Sequence, residues 1–157
     1  MPDSHLVNIH LDEKAVVRRA ADVEHERAVA IYDLLESNVF KPIGDYTGPY
    51  SLRLRAEENR LQFNIFDAED TRRLGSVALP LAPFRRIVKD YFTVCESYFE
   101  AIKTASPSRI EAIDMGRRGL HDEGAALLRE RLDGKIEVDE NTARRLFTLL
   151  CVLHIRG

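Results

Sequence analysis

The chain has 157 residues, 45% of them hydrophobic and 31% charged, with a net charge of -3 and a pI near 6.0. A chain of this length buries roughly 70% of the surface its unfolded form exposes, so it needs no disulfide or structural metal to hold a core. The slightly acidic balance disfavours a dedicated nucleic-acid binder, whose affinity rests on clustered Lys and Arg. The opening residues, MPDSHLVNIHLDEK, are too polar for a signal peptide, and the longest apolar run, Leu146 to Leu153, is too short to span a bilayer. The expected compartment is the cytoplasm, with no membrane partner. Cys95 and Cys151 sit in apolar helical stretches and read as buried, reduced thiols. No CxxC pair or His/Cys ligand spacing occurs, so neither a metal nor another cofactor is expected.

Isolated Gly and Pro punctuate the chain without a repeat or linker, which predicts one domain over residues 1–157. A strand is predicted from Leu6 to Leu11, with Val7, Ile9 and Leu11 on one face. A helix follows from about Asp22 to Asn38, capped by Asp22, with Ala28, Ile31, Tyr32, Leu35 and Val39 as its apolar stripe. KPIGDYTGPY then reads as a loop. The clearest β signal comes next. Tyr50, Leu52 and Leu54 alternate with polar residues, and so do Leu61, Phe63 and Ile65 after a turn at Glu58-Asn59. Pairing Glu57 with Arg60 sets Leu54 opposite Phe63 and Leu52 opposite Ile65, and agrees in parity on both faces. A third strand, Arg73 to Leu79, carries a bulge signal at Gly75.

Beyond Pro83 the pattern is helical. Phe84, Ile87, Val88, Tyr91, Cys95, Tyr98, Phe99 and Ile102 form one stripe, read as the main core helix on the sheet. Ser106-Pro107 is a helix start, and that helix runs toward Leu132. An extended piece, Lys135 to Val138, leads to Asp139, which caps a last helix that is apolar on more than one side. That helix is either central and buried or the support of an interface, and so leaves homo-oligomerisation open. The fold class is therefore α+β, in the order β-α-β-β-β-α-α-α. A small antiparallel sheet, a three-stranded meander plus the N-terminal strand, packs on helices.

Two polar clusters exceed what a core requires. In DMGRRGLHDEG, Asp114 stands four residues before Arg118, the spacing of a stabilising ion pair. Arg117, Arg118, His121 and Asp122 lie around it, suited to binding an anion or a protein partner. His121 beside Asp122 is also a weak acid/base candidate. Gly116 and Gly124 share a helical face with Leu120, the pattern of close helix packing or of backbone left open for a ligand. The second cluster is EHER. Its Glu24 and His25 lean toward the predicted apolar stripe, Glu26 lies on the outer face, and Arg117 or Arg118 is the expected partner of Glu24 or His25. A metal site from Glu24, His25 and His121 has no spacing signature, and His154 reads as a hydrogen-bonded core residue. On the outer sheet face, Arg53, Arg55, Gln62, Asn64 and Phe66 weakly suggest an RNA platform without its motifs.

The segments DVEHERAVAIYDLLE, GPYSLRLRAEENRLQFNI, DMGRRGLHDEGAALLRERL and TARRLFTLLCVLHIRG resemble the bacterial uncharacterised protein family two-six-two, over nearly the whole chain. The resemblance implies a small single-domain bacterial protein and carries over no reaction, cofactor or catalytic residue. With no P-loop, GxSxG or HExxH motif, the leading expectation is a non-enzymatic protein-interaction or small-ligand-binding domain. The alternative is a small enzyme using the Arg/His/Glu cluster on an anionic substrate. RNA or ribosome association stands third. The candidate binding residues are Glu24, His25, Asp114, Arg117, Arg118, His121 and Asp122, and the expected partner is an unidentified protein or a small anion.

Overall fold

The computed structural model of the chain describes residues 3–12 and 21–154, the side chains of 21–23 excepted, so the predicted cap at Asp22 lies outside the described residues. Alternation sets the centre of the sheet. Strands β3 (Tyr50–Glu57) and β4 (Arg60–Asp67) are antiparallel, with Glu57 opposite Arg60, Leu54 opposite Phe63 and Leu52 opposite Ile65. This is the predicted register. A slip of one residue would turn these four apolar side chains, all buried, toward water. Glu58 and Asn59 both take positive φ, as the two-residue hairpin turn requires. Strand β5 (Arg73–Pro80) pairs antiparallel with β4, and its register shifts between Ile65 and Phe66, opposite Gly75. Gly75 lies under the Tyr46 ring, where a Cβ would stand 2.6 Å from the tyrosine hydroxyl.

Strand β1 (Leu6–Leu11) corrects the expected antiparallel sheet. It pairs parallel with β3, giving a mixed sheet in the order β1-β3-β4-β5. The long connection through helix α1 (Ala21–Glu36) makes a parallel return available, which a hairpin could not. The predicted inward face is corrected too. Leu6 and Ile9 are buried while Val7 is 43% exposed, because the register shifts between Leu6 and Asn8. A second, two-stranded sheet joins β2 (Phe40–Pro42) to β6 (Ile136–Val138). Three-residue strands are too short to show alternation, so Phe40–Pro42 reads as helix end and loop in sequence.

Helix α4 (Glu140–His154) is the hub, with its backbone close to α1, to α3 (Pro107–Leu132) and to β3. All eight residues from Leu146 to Leu153 are buried, which accounts for its apolarity on several sides within one chain. Asp139 Oδ1 accepts the Thr142 amide at 2.8 Å and caps it, as expected. Helix α2 (Arg85–Thr104), predicted to lie on the sheet, packs chiefly against α3. Its first half buries Ile87, Val88, Tyr91 and Cys95, but Ile102 on the same stripe is 49% exposed. The stripe there is wider than one neighbouring helix covers. Ser106 Oγ accepts the Arg109 amide at the start of α3, with Pro107 in the first position. Cys95 and Cys151 are both buried, and neither is in a disulfide. Among the described residues no helix is long and apolar enough to cross a membrane.

Helix α1 exists where predicted but is rotated about its axis. Ala30 and Leu34 are buried, whereas Tyr32 is 65% exposed and Leu35 and Val39 are 40% and 41% exposed. The sequence offers two apolar stripes, one through Ala30, Ile31 and Leu34, the other through Ala28, Val29, Tyr32 and Leu35. Polar contacts decide between them. Asn38 Nδ2 donates to Leu34 O and Leu6 O while its Oδ1 accepts the Leu6 amide, locking the end of α1 to β1. Asp33 reaches Arg145 of α4 at 3.4 Å.

Candidate functional site

The helix rotation decides which acidic residue of α1 meets α3. Glu24 and His25, expected to lean inward, are exposed, and Glu24 pairs with Arg27 one turn on, at 3.8 Å. Glu26, expected on the outer face, instead reaches Arg117 at 3.6 Å. The two predicted segments thus meet in space, but through a different residue. We expect Glu26→Gln and Arg117→Ala to couple in a double-mutant cycle by a few tenths of a kcal/mol up to about 1 kcal/mol, and Glu24→Gln to add independently. Urea denaturation of the six proteins decides it; coupling through Glu24 would contradict the rotation.

Asp114 is the centre of the α3 cluster. Its side chain is largely buried, and it accepts Arg117 Nε at 3.1 Å and Nη2 at 2.6 Å on one oxygen, with Arg118 Nη2 at 2.6 Å on the other. These bonds, led by that from Arg117, hold the Asp114 carboxyl below the usual carboxylate range. The Arg117 guanidinium also lies 4.5 Å from the centre of the Tyr98 ring. Arg118 is 69% exposed and presents the rest of its guanidinium to solvent.

Next along α3, the expected tuning of His121 by Asp122 is corrected. Asp122 pairs with Arg144 of α4. His121 stacks on Tyr91 with ring centres 5.5 Å apart and places Nε2 2.9 Å from both Arg144 O and Thr148 Oγ1. A carbonyl oxygen only accepts, so Nε2 carries the proton in this arrangement. Burial first, and then the positive charge of Arg144, push the His121 pKa down to about 4. A neutral, enclosed imidazole packed on Tyr91 and Phe147 is a core histidine.

The ion pairs close a triangle. Glu26–Arg117 joins α1 to α3, Asp33–Arg145 joins α1 to α4, and Asp122–Arg144 joins α3 to α4. The sequence places Glu26 on the outer face and marks none of Glu26, Asp33, Arg144 and Arg145 as a site residue. The available signal was the adjacent arginines inside an otherwise apolar helix, since a half-buried guanidinium needs a carboxylate.

The glycines divide by environment. At Gly124 a Cβ would stand 2.6 Å from Phe147 Cε2 and closer still to Cζ and Cε1, so close packing accounts for this residue. A Cβ added at Gly116 or Gly119 would meet nothing within 4 Å beyond its own helical turn among the described residues. Alanine at either should stabilise by about 0.5 to 1 kcal/mol through helix propensity alone, raising the urea midpoint. A loss would mean that α3 needs flexibility there.

Elsewhere, Arg53 makes two hydrogen bonds to Asp70, at 3.2 and 2.9 Å, and lies 4.2 Å from the centre of the Phe66 ring. The expected exposed platform is a paired cation over its own aromatic neighbour. His154, expected to be hydrogen-bonded, has a buried Nε2 without a hydrogen-bond partner among the described residues. It borders a groove of about 300 Å³ with Arg85, Val88, Lys89 and Phe92. Among the described residues no three His, Cys, Asp or Glu are placed to hold a metal ion. What stands out on the surface is apolar. Of the eight large hydrophobic residues exposed among the described residues, four (Val29, Tyr32, Leu35 and Val39) lie on or just after α1.

Fold and clusters together define a class: an α+β protein whose helices are tied by ion pairs around one buried helix. The model of the uncharacterised protein family (UPF0262) matches residues 3–156, and the chain belongs to that family. It is 66% identical to a UPF0262 protein of Paramagnetospirillum magneticum, over 97% of this chain and 96% of that one. It is 63% identical to one of Rhodospirillum rubrum, over 98% and 94%. A UPF0262 protein of Brucella anthropi is 60% identical, over 100% of this chain and 98% of the relative. The family's description assigns no activity. No solved structure matches the chain.

Proposed function

We propose that this chain is a non-enzymatic protein-interaction domain of the cytoplasm that docks through the outer face of α1. The observation carrying this reading is the apolar stripe of Val29, Tyr32 and Leu35, continued by Val39, with Tyr32 at its centre 65% exposed. Leaving large apolar side chains in water on one helix face forgoes about 25 cal/mol per Å² of burial, which binding recovers. Tyrosine is also a frequent anchor of interfaces. The state of the polar candidates supports the same reading against an enzyme. Arg117 and Arg118 are bonded to Asp114, Arg117 also to Glu26, and His121 to the α4 backbone.

Tagged wild-type chain and Tyr32→Glu, used as baits in a lysate of a bacterium that encodes the family, test this. Wild type should retain a protein that Tyr32→Glu loses, with equal far-UV circular dichroism for both baits. Identical retention by the two would remove α1 from the interface.

A further inference from the structure

We infer that the occupant of the α1 face is a second copy of this chain, its α1 packed antiparallel across a two-fold axis at Tyr32. This rests on the reading of α1 as a docking face. The outward positions of α1 are His25, Ala28, Val29, Tyr32, Leu35 and Glu36, recurring at three and four residues as in a helix–helix seam. The two apolar positions that flank Tyr32 are symmetric about it. Val29 lies three residues before it and Leu35 three after, and small Ala28 stands opposite the longer Glu36. An antiparallel two-fold therefore sets Tyr32 on Tyr32 and brings Val29 level with the second copy's Leu35 across the seam, the self-complementary arrangement of an isologous interface.

Charge favours the same direction. In an antiparallel pair, residues on one side of a seam face the same side of the other helix. Glu36, exposed and in no ion pair among the described residues, then comes within about one turn, 5.4 Å along the axis, of His25 of the second copy. The helix dipoles also oppose. A parallel pair would instead set Glu36 beside Glu36 and align the dipoles. The other apolar helix, α4, is consumed inside the chain and does not compete for this role. Sixteen residues of α1 give a ridge about 24 Å long. At a helix width of about 10 Å that is roughly 240 Å², little beside the roughly 800 Å² per partner of a stable interface, so the pairing is a concentration-dependent equilibrium.

Sedimentation velocity from about 10 µM to about 1 mM, with cysteine cross-linking, tests it. Cys95 and Cys151 are buried, which leaves introduced thiols as the reactive ones. Wild type should shift from monomer toward dimer, and Tyr32→Glu should lose that shift. Tyr32→Cys should cross-link to itself, and Val29→Cys to Leu35→Cys in a mixture. Self-cross-linking of Val29→Cys, or a dimer indifferent to Tyr32→Glu, would overturn the antiparallel pairing. A chain that stays monomeric throughout would also overturn it. In that case a lysate protein still lost by the Tyr32→Glu bait would leave the docking face standing with another occupant; no such protein would end both.

Discussion

Gly124→Ala is expected to destabilise the protein by about 2 to 3 kcal/mol, lowering Tm by roughly 5 to 10 °C. The added methyl would enter the Phe147 ring, which is fully buried and has Tyr91 5.9 Å and His121 5.7 Å from its centre. Such a ring cannot retreat, because the interior around it is close-packed. Alanine gains about 1 kcal/mol in helix propensity, so the net loss understates the strain. Phe147→Leu should rescue part of it, making the double variant more stable than the sum of the single losses. Urea denaturation of the four proteins measures this. A neutral Gly124→Ala would contradict the close crossing of α3 and α4. The contrast with Gly116 and Gly119, where the same change should stabilise, isolates packing from propensity within one helix.

Stability should fall by about 3 kcal/mol between pH 6.5 and pH 4 on account of His121 alone. Its folded pKa, about 4, lies below the 6.5 of a free imidazole. Between these values the unfolded chain binds a proton at this residue and the native chain does not. The contribution is therefore complete above pH 6.5, declines as pH falls, and is lost once pH passes below about 4. Asp70 and Asp114, both held below the usual carboxylate range by arginine partners, extend the loss to lower pH. His121→Gln keeps a donor for Arg144 O but does not titrate. Urea midpoints from pH 4 to 7.5 should rise less steeply with pH in this variant, by one proton per unfolding event. Equal slopes in the two proteins would show that His121 protonates in the native state.

The hairpin of β3 and β4, with its turn and register, was legible because parity, turn residues and both strands lie within eighteen consecutive residues. The start of α3 was equally legible, since Ser106 and Pro107 act on their own neighbours. The site was legible only as segments. EHER and DMGRRGLHDEG come together, yet through Glu26 rather than Glu24 or His25. His121 looked like a partner of Asp122 because they are adjacent, but neighbours in sequence point about 100° apart on a helix. Arg144 separates them by taking Asp122 with its side chain and His121 with its carbonyl.

By itself the sequence determined the elements other than β2 and their order, the register of the central hairpin and the family. Each of these depends on local periodicity, caps and turns. The tertiary structure decided the direction of β1, the rotation of α1 and the ion pairs that join one helix to another. For α1 and the ion pairs it makes, the reason is that the helix carries two apolar stripes of similar strength, and local periodicity cannot rank them. Only Asn38 against β1 and Asp33 against Arg145 do so, and in choosing Ala30 and Leu34 for the core they leave Tyr32 for something outside it.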